Sequence, residues 1–395
     1  MCSYSSITFT DHPERSSNTP ACANKYMLTD VVRGEWNWTG YILSDAGATA
    51  FVGKTEVGTP GMMWHESNKT FGHGYATSQA DAAVRALSAG LDLELTCCGA
   101  PAVFPSLNDS IKAGKLPEKV LDDSLRRTLS IRFELGQLDG KDLTGVPQNA
   151  YASLNQANVS TPKMVDLALT AAKKAVVLLK NEKQTLPLKA AALKGKTVCM
   201  FGPNANSSMA QEAGYVPHPR VIVTPFAGLT AALPGSTVKL VEGCSSTACK
   251  TLNNVAVGAA LKPGACDVFV AVMGLTAYAN PGSHLDPVSQ EPGNACGCVV
   301  GDGVEGECCD REDVAMPGQQ LGLLQEIAAA AAATSKPMVL ISINAGMVDY
   351  SWAQNSSSVG AILNAPYLGM TAGTALASTI LGDSNPAVRL PQRYS

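Results

Sequence analysis

The sequence predicts an α/β protein built in two parts, and three observations predict it. The chain has 395 residues, more than one ordinary core encloses. Short apolar strands alternate with helix-period segments over residues 1–137, which implies parallel strands joined by helical crossovers. Beyond residue 160, continuous apolar runs recur between helices, the pattern of a sheet covered on both faces. Residues 138–160 are polar and turn-rich (Gly140, Gly145, Pro147, Asn149) and read as a linker. The expected organisation is therefore 1–137, a linker at 138–160, and 161–395.

In the first part, residues 24–33 space Met27, Leu28, Val31 and Val32 along one helical face. A strand follows at Tyr41–Leu43 and stops at Ser44-Asp45. A polar, Gly-containing loop runs to about residue 76. Ser78-x-x-Asp81 then reads as a capping box opening a helix that contains Ala83, Val84 and Leu87 and closes at Gly90. The strand "LDLEL" (91–95) comes next. Helices follow at about 103–113 and 118–135, the last with Leu121, Leu125 and Leu129 at i, i+4 spacing.

The second part starts at Thr161-Pro162, a helix opening with Pro at its first position. Its strands are "AVVLLK" (175–180), "TVCMFG" (197–202), "VFVAVMG" (268–274), "PMVLISI" (337–343) and "AILNAPY" (361–367), with helices at 318–333 and 370–381. The alanine run 328–333 is helix filler. No repeat of 20–50 residues interrupts this order.

Composition narrows the function classes. Apolar residues make up 46% and charged residues 16%, a globular and not a disordered balance. A net charge of -4 leaves no basic footprint for nucleic acid, and no apolar run is long enough for a membrane span. Twelve cysteines include the close groups Cys97-Cys98, Cys244/Cys249, Cys296/Cys298 and Cys308-Cys309. Neither paired CxxC motifs nor paired histidines accompany them, so disulfides fit better than a zinc site and imply an oxidising compartment. Six Asn-x-Ser/Thr sequons (Asn37, Asn68, Asn108, Asn158, Asn206, Asn355) point the same way. Yet "MCSYSSITFTDH" has neither the basic start nor the apolar core of a signal peptide.

Two stretches can carry chemistry. Asp45 stands at the C-terminal end of a strand, where parallel α/β sheets hold reactive groups; the bland alternative is a turn or cap acid. "DGVEGECCDRED" (302–313) packs Glu305, Glu307, Asp310 and Arg311 into one Gly-rich loop. Clustered carboxylates there can raise one another's pKa, as a proton donor needs, and the alternative is a solvated acidic turn. "FGPNAN" (201–206) ends a strand in a loop but lacks G-x-G-x-x-G and the Walker lysine. That argues against a nucleotide-binding α/β protein.

Taken together, "MCSYSS", "ACANKYMLTDVVRGEW", "GYILSDAGA" and "AGLDLEL" resemble the closing section of the catalytic barrel of family 3 glycoside hydrolases. "AVVLLKNEKQTLPL", "GPNAN", "EGECCDR" with "MPGQQ", and "GDSNPAVRLP" resemble that family's second domain, in the same order over nearly the whole chain. "GCSSTAC" (243–249) leans towards the xylosidase-like, plant-type branch and implies a Cys244–Cys249 disulfide. The resemblance implies the C-terminal part of a (β/α)8 TIM-like barrel (strands 6–8) followed by an α/β sandwich domain that carries the acid/base loop. It implies a retaining β-glycosidase of β-xylosidase or β-glucosidase type. Asp45 would be the nucleophile and Glu307 the acid/base, with Glu305 the second candidate for that role. Retention needs the two carboxyl groups about 5–5.5 Å apart. Tyr4 and Ser44 would lie on the sugar side, and Tyr4 reads equally as a core tyrosine. The substrate would be an oligosaccharide or other β-glycoside, and no cofactor is required.

The departures from the family pattern carry expectations of their own. "CSYSS" stands where the family has C-S-Y-N, "LDLELTCCG" replaces L-D-L-x-C-G, and "TFTDHPERSSNT" (8–19) is a long insert. A (β/α)8 barrel takes about 250 residues, and the resemblance covers only its last three strand units. The reading is thus of an N-terminally truncated chain, with a signal peptide upstream, a secreted product and little glycosidase activity by itself. The alternative is a non-catalytic remnant that binds carbohydrate or assembles with a partner.

Overall fold

The computed structural model describes residues 2–3, 5–7, 18–56, 70–96, 102–141, 149–212, 219, 221–277, 305, 311 and 313–390. The chain divides into two units, with the break after Gln156.

In the first unit, β1 (Leu43–Ala46) is followed by α1 (Gln79–Ala89) and then by β2 (Leu93–Leu95), which pairs with β1 in parallel, Leu43 opposite Leu93 and Ala46 opposite Leu95. Cys2 bridges Ser44 on the other side, also in parallel. The crossover helix is closed as its sequence prescribes. Ser78 Oγ accepts from Asp81 N at 3.1 Å, the Asp81 carboxylate accepts from Thr77 N, and Gly90 leaves the helix at φ 111°. The small residues Ala82, Ala83 and Ala86 are fully buried, letting the helix lie close to its neighbours.

Four expectations for this unit need correction. The strand expected at 41–43 lies at 43–46, and the one at 91–95 starts at Leu93. Ile42 is drawn out of the ladder: its N–H donates to the Asp92 carboxylate, and its carbonyl accepts from both Asp92 N and Leu93 N. The helix expected at 24–33 is a π-helix over Tyr26–Glu35, seen in the bond from Trp36 N to Val31 O. Thr29 Oγ1 and Arg33 are held against Ala89 O, Gly40 O and Gly90 O, and the 27/28/31/32 spacing suits the wider winding as well as the tighter one. In α2 (Leu107–Lys112) and α3 (Glu118–Glu134) the helices stand where expected, but the leucine spacing in α3 does not mark its buried face. Leu125 and Leu129 are exposed, while Ser124 and Thr128 are buried, because Ser124 Oγ donates to Asp92 O and Arg127 pairs with the Asp92 carboxylate.

The second unit opens with α4 (Pro162–Ala175), capped by Thr161 Oγ1, and β3 (Val177–Asn181). Then come β4 (Thr197–Phe201), α5 (Pro225–Ala232), β5 (Thr237–Val241), β6 (Val268–Gly274), α6 (Gln320–Thr334), β7 (Met338–Ile343), α7 (Ser351–Asn355), β8 (Ala361–Ala365) and α8 (Ala372–Leu381). The six strands form one mixed sheet in the order β3-β8-β7-β6-β4-β5. Every neighbouring pair is parallel except β3–β8, so β3, expected as a buried strand from residue 175, is instead an antiparallel, half-buried edge. The other edge, β5, escapes a search for continuous apolar runs because Thr237 and Lys239 break its sequence with exposed side chains. Between the edges, β6, β7 and β8 are buried along their whole length.

Alternate residues serve opposite faces of that sheet. Phe201, Phe269, Met273 and Leu340 pack with Leu323, Leu324 and Ile327 of α6. Met200, Val270, Val272 and Ile341 pack with Leu229 of α5 and Leu376 and Ile380 of α8. Helices α5 and α8 cross at Gly228 and Gly373, where a Cβ on Gly228 would come within 2.1 Å of the Gly373 backbone.

Lys180, on β3, is 7% exposed and donates to the carbonyls of Ala353, Gln354 and Ser356, closing the end of α7. Lys180→Met is expected to cost about 2–3 kcal/mol, since those carbonyls then lack a charged donor. Urea denaturation measures it, and an unchanged midpoint would show the cap to be dispensable. No helix among the described residues is long and apolar enough to cross a membrane.

Candidate active site

Each unit carries one cluster at the C-terminal ends of its parallel strands. In the first unit, Asp45 lies inside β1 and is half-buried. Its N–H donates to Cys2 O at 2.6 Å. Its Oδ2 accepts from Ser3 Oγ at 2.9 Å and its Oδ1 from Ala46 N at 2.8 Å. Gly47, at φ 76°, turns the chain away directly afterwards. A carboxylate with one hydroxyl and one amide donor is oriented yet keeps lone pairs free for an electrophile.

Ser44 is fully buried, and its Oγ accepts from Leu95 N at 2.9 Å, which ties β1 to β2. On β2, Glu94 turns to the N–H groups of Val103 and Phe104 ahead of α2. Burial pushes the Glu94 carboxyl above the ordinary range, against the lowering effect of those two bonds. A Cys2–Cys22 disulfide fixes the segment that carries Ser3. Tyr4 lies outside the described residues.

In the second unit the cluster gathers on the turn that leaves β7. Glu305 Oε1 accepts from Ala345 N and Glu305 Oε2 from Gly346 N, both at 2.9 Å; Tyr367 OH adds a further, short bond to Oε1. Burial first, and the Glu305 charge second, hold the Tyr367 phenol protonated far above its usual range. Arg311 donates to Met347 O at 2.6 Å and to Ala315 O. Glu307 and Asp310 lie outside the described residues.

Beside this turn runs a buried polar network. Asn204, of the "GPNAN" loop, donates to Leu275 O at 3.0 Å and accepts from Thr247 Oγ1 at 3.0 Å. Gln320 takes up the amide and the carbonyl of Gly274 and also donates to Thr247 O. Thr247 belongs to the loop closed by a Cys244–Cys249 disulfide, the pairing that the resemblance implied. A further disulfide, Cys199–Cys266, was not singled out in the sequence, and the other six cysteines lie outside the described residues.

Of the site residues expected from sequence, the structure thus describes Asp45, Ser44 and Glu305. Reading by residue type missed Ser3 and Tyr367. One signal was available: Tyr367 follows the end of β8, the same position relative to a parallel strand that singled out Asp45.

Comparison with known proteins gives a consistent result. The family model described as the glycosyl hydrolase family 3 C-terminal domain matches residues 176–395, and that of the glycosyl hydrolase family 3 N terminal domain matches residues 1–131. Beta-D-xylosidase 1 of Arabidopsis thaliana is 28% identical over 395 residues, covering 100% of this chain and 42% of that protein. An exo-1,4-beta-xylosidase of Aspergillus niger is 29% identical over 394 residues, covering 99% of this chain and 41% of that protein. Among solved structures, a β-glucosidase from Erythrobacter marinus aligns with TM-score 0.67 and 27% identity, covering 93% of this chain and 44% of that one. An exo-beta-xylosidase bound to a xylobiose aziridine probe aligns with TM-score 0.68 at 24% identity, a likeness of fold, covering 92% of this chain and 39% of that one. The chain spans about 42% of the length of the curated relatives it matches.

Proposed function

The chain belongs to glycoside hydrolase family 3, and from that premise we propose that it serves retaining, exo-acting hydrolysis of β-glycosides of the β-xylosidase or β-glucosidase type. The observation that carries the proposal is Asp45: a half-buried carboxylate in a parallel strand, oriented by Ser3 Oγ and Ala46 N. The names of its relatives, β-D-xylosidases of plants and fungi, favour a xylose-containing oligosaccharide.

In the proposed reaction, Asp45 attacks the anomeric carbon while the acid/base protonates the departing glycosidic oxygen. The products of this step are the aglycone alcohol and a glycosyl ester on Asp45. The deprotonated acid/base then takes a proton from water, whose oxygen attacks the same carbon and frees Asp45. Two inversions give net retention, and carboxyl groups and water suffice, so no cofactor enters. Glu307 is the proposed acid/base. Glu305, whose oxygens already accept three hydrogen bonds, is the proposed anchor of the same loop.

The proposal extends to architecture and place. Residues 1–137 would supply strands 6–8 of a (β/α)8 barrel, with a linker at 138–160 and an α/β sandwich at 161–395. Tyr4 would line the sugar side, whereas Ser44, expected there too, is fully buried with its Oγ taken by Leu95 N, and its role is to hold β1 against β2. Three disulfides among the described residues and six sequons favour an extracellular site of action.

A 2-fluoro aryl β-xyloside tests this by trapping the ester. The expected result is a mass increase on the peptide containing Asp45, lost in Asp45→Asn. The chain alone is expected to react weakly; neither adduct nor turnover in a protein that also supplies the rest of a barrel would overturn the enzymatic reading in favour of a carbohydrate-binding or assembly module. The proton donor has its own test. Glu307→Ala should slow substrates with poor leaving groups about 10²–10⁴-fold and those with good ones far less, with azide restoring the rate. If Glu305→Ala behaves that way and Glu307→Ala does not, the role passes to Glu305.

A further inference from the structure

Glu305 and Arg311, the described residues at the two ends of the proposed proton-donor segment, both bind one turn. At one end the Glu305 carboxylate sits on the N–H groups of Ala345 and Gly346 and under the Tyr367 hydroxyl. At the other, the Arg311 guanidinium reaches the carbonyl of the next residue, Met347. Two side chains of opposite charge, six positions apart, thus find complementary backbone groups on three consecutive residues.

The turn is built for that purpose in its own interior. Asn344 N donates to Ala365 O, and Asn344 Nδ2 donates to Gly346 O at 2.7 Å, which fixes the direction of the Gly346 peptide. Asn344 Oδ1 accepts from Ser342 Oγ at 2.8 Å and Tyr350 OH at 2.9 Å, and Asn364 Nδ2 donates to Tyr350 OH. Ser342, Asn344, Tyr350 and Asn364 are all buried, so a polar network stiffens the turn from inside the core. The seat is close-fitting: a Cβ on Gly346 would lie 2.3 Å from Glu305 Oε2, so a side chain there would push the carboxylate off its two amides.

We infer that the turn Asn344–Met347 is a platform that positions the proposed proton-donor segment, and that Tyr367 is a positioning residue acting through Glu305. The inference rests on the reading that this segment carries the acid/base. A donor must meet the glycosidic oxygen within hydrogen-bond reach, and a displacement of about 1 Å can cost about 10²-fold. Fixing Glu305 and Arg311 to neighbouring residues would limit that displacement for a donor carried between them.

Two readouts on the full chain separate this inference from the enzymatic reading. The first is amide hydrogen exchange at Ala345 and Gly346, which needs no activity. Tyr367→Phe and Glu305→Ala should each speed it about 10-fold or more, with β6 unchanged; unchanged exchange at Ala345 and Gly346 overturns the anchor. The second is steady-state kinetics with aryl β-xylosides. Tyr367→Phe should lower kcat for poor leaving groups about 10-fold, leave KM in place and spare good leaving groups. Equal losses for both classes of leaving group, or a loss confined to KM, overturn the positioning role. Faster exchange in a protein without turnover would leave the anchor standing and remove the enzymatic reading alone.

Discussion

Asp92→Ala is expected to destabilise the first unit by about 3–5 kcal/mol, the usual cost of breaking a buried ion pair by removing one partner. The Asp92 side chain has no exposure and gathers donors from three elements. Oδ2 accepts from Ile42 N at 2.8 Å and from Arg33 of the π-helix; Oδ1 accepts from Arg127 Nε at 2.9 Å and Nη2 at 2.6 Å. Without the carboxylate, two guanidiniums remain side by side with little water to separate them. Burial already lowers the Arg33 pKa, Asp92 opposes that shift, and Arg127 adds to it, so removing Asp92 takes away the one compensating charge. Asp92→Asn keeps the shape and part of the bonding and should lose less. Chemical denaturation read with a probe in the first unit checks both. A loss under about 1 kcal/mol for Asp92→Ala would show that solvent or a neighbouring acid compensates.

Asp45→Asn is expected to lower glycoside turnover by about 10⁴-fold or more, the scale on which loss of a covalent nucleophile is felt. Stability should hardly move. An asparagine oxygen can still accept from Ser3 Oγ or Ala46 N, and the backbone bond from residue 45 to Cys2 O does not involve the side chain. Unfolding curves that superimpose, with turnover and the trapped ester both gone, would assign a chemical role to the carboxylate. Equal activity in the two proteins would reduce Asp45 to the turn acid that its position also allows. A fall in activity together with a fall in stability would point to a structural role.

The sequence by itself determined the α/β class, the strand–helix order of the first unit, five of the six strands of the second and most helix ends. Strand β6 runs over the residues read from "VFVAVMG", and Ser78, Gly90 and Thr161 cap the helices they were expected to cap. These features are written in periods and local hydrogen bonds a few residues apart. Tertiary structure alone decided that Asp92 is the hub of the first unit, that α3 buries Ser124 and Thr128 and exposes Leu125 and Leu129, and that β3 is an antiparallel edge. It also decided which groups hold the candidate carboxylates: Ser3 reaches Asp45 across 42 residues of sequence, and Tyr367 reaches Glu305 across 62. A charge or hydroxyl far along the chain leaves no periodic trace, and its partner is fixed only when the strands that carry both have paired.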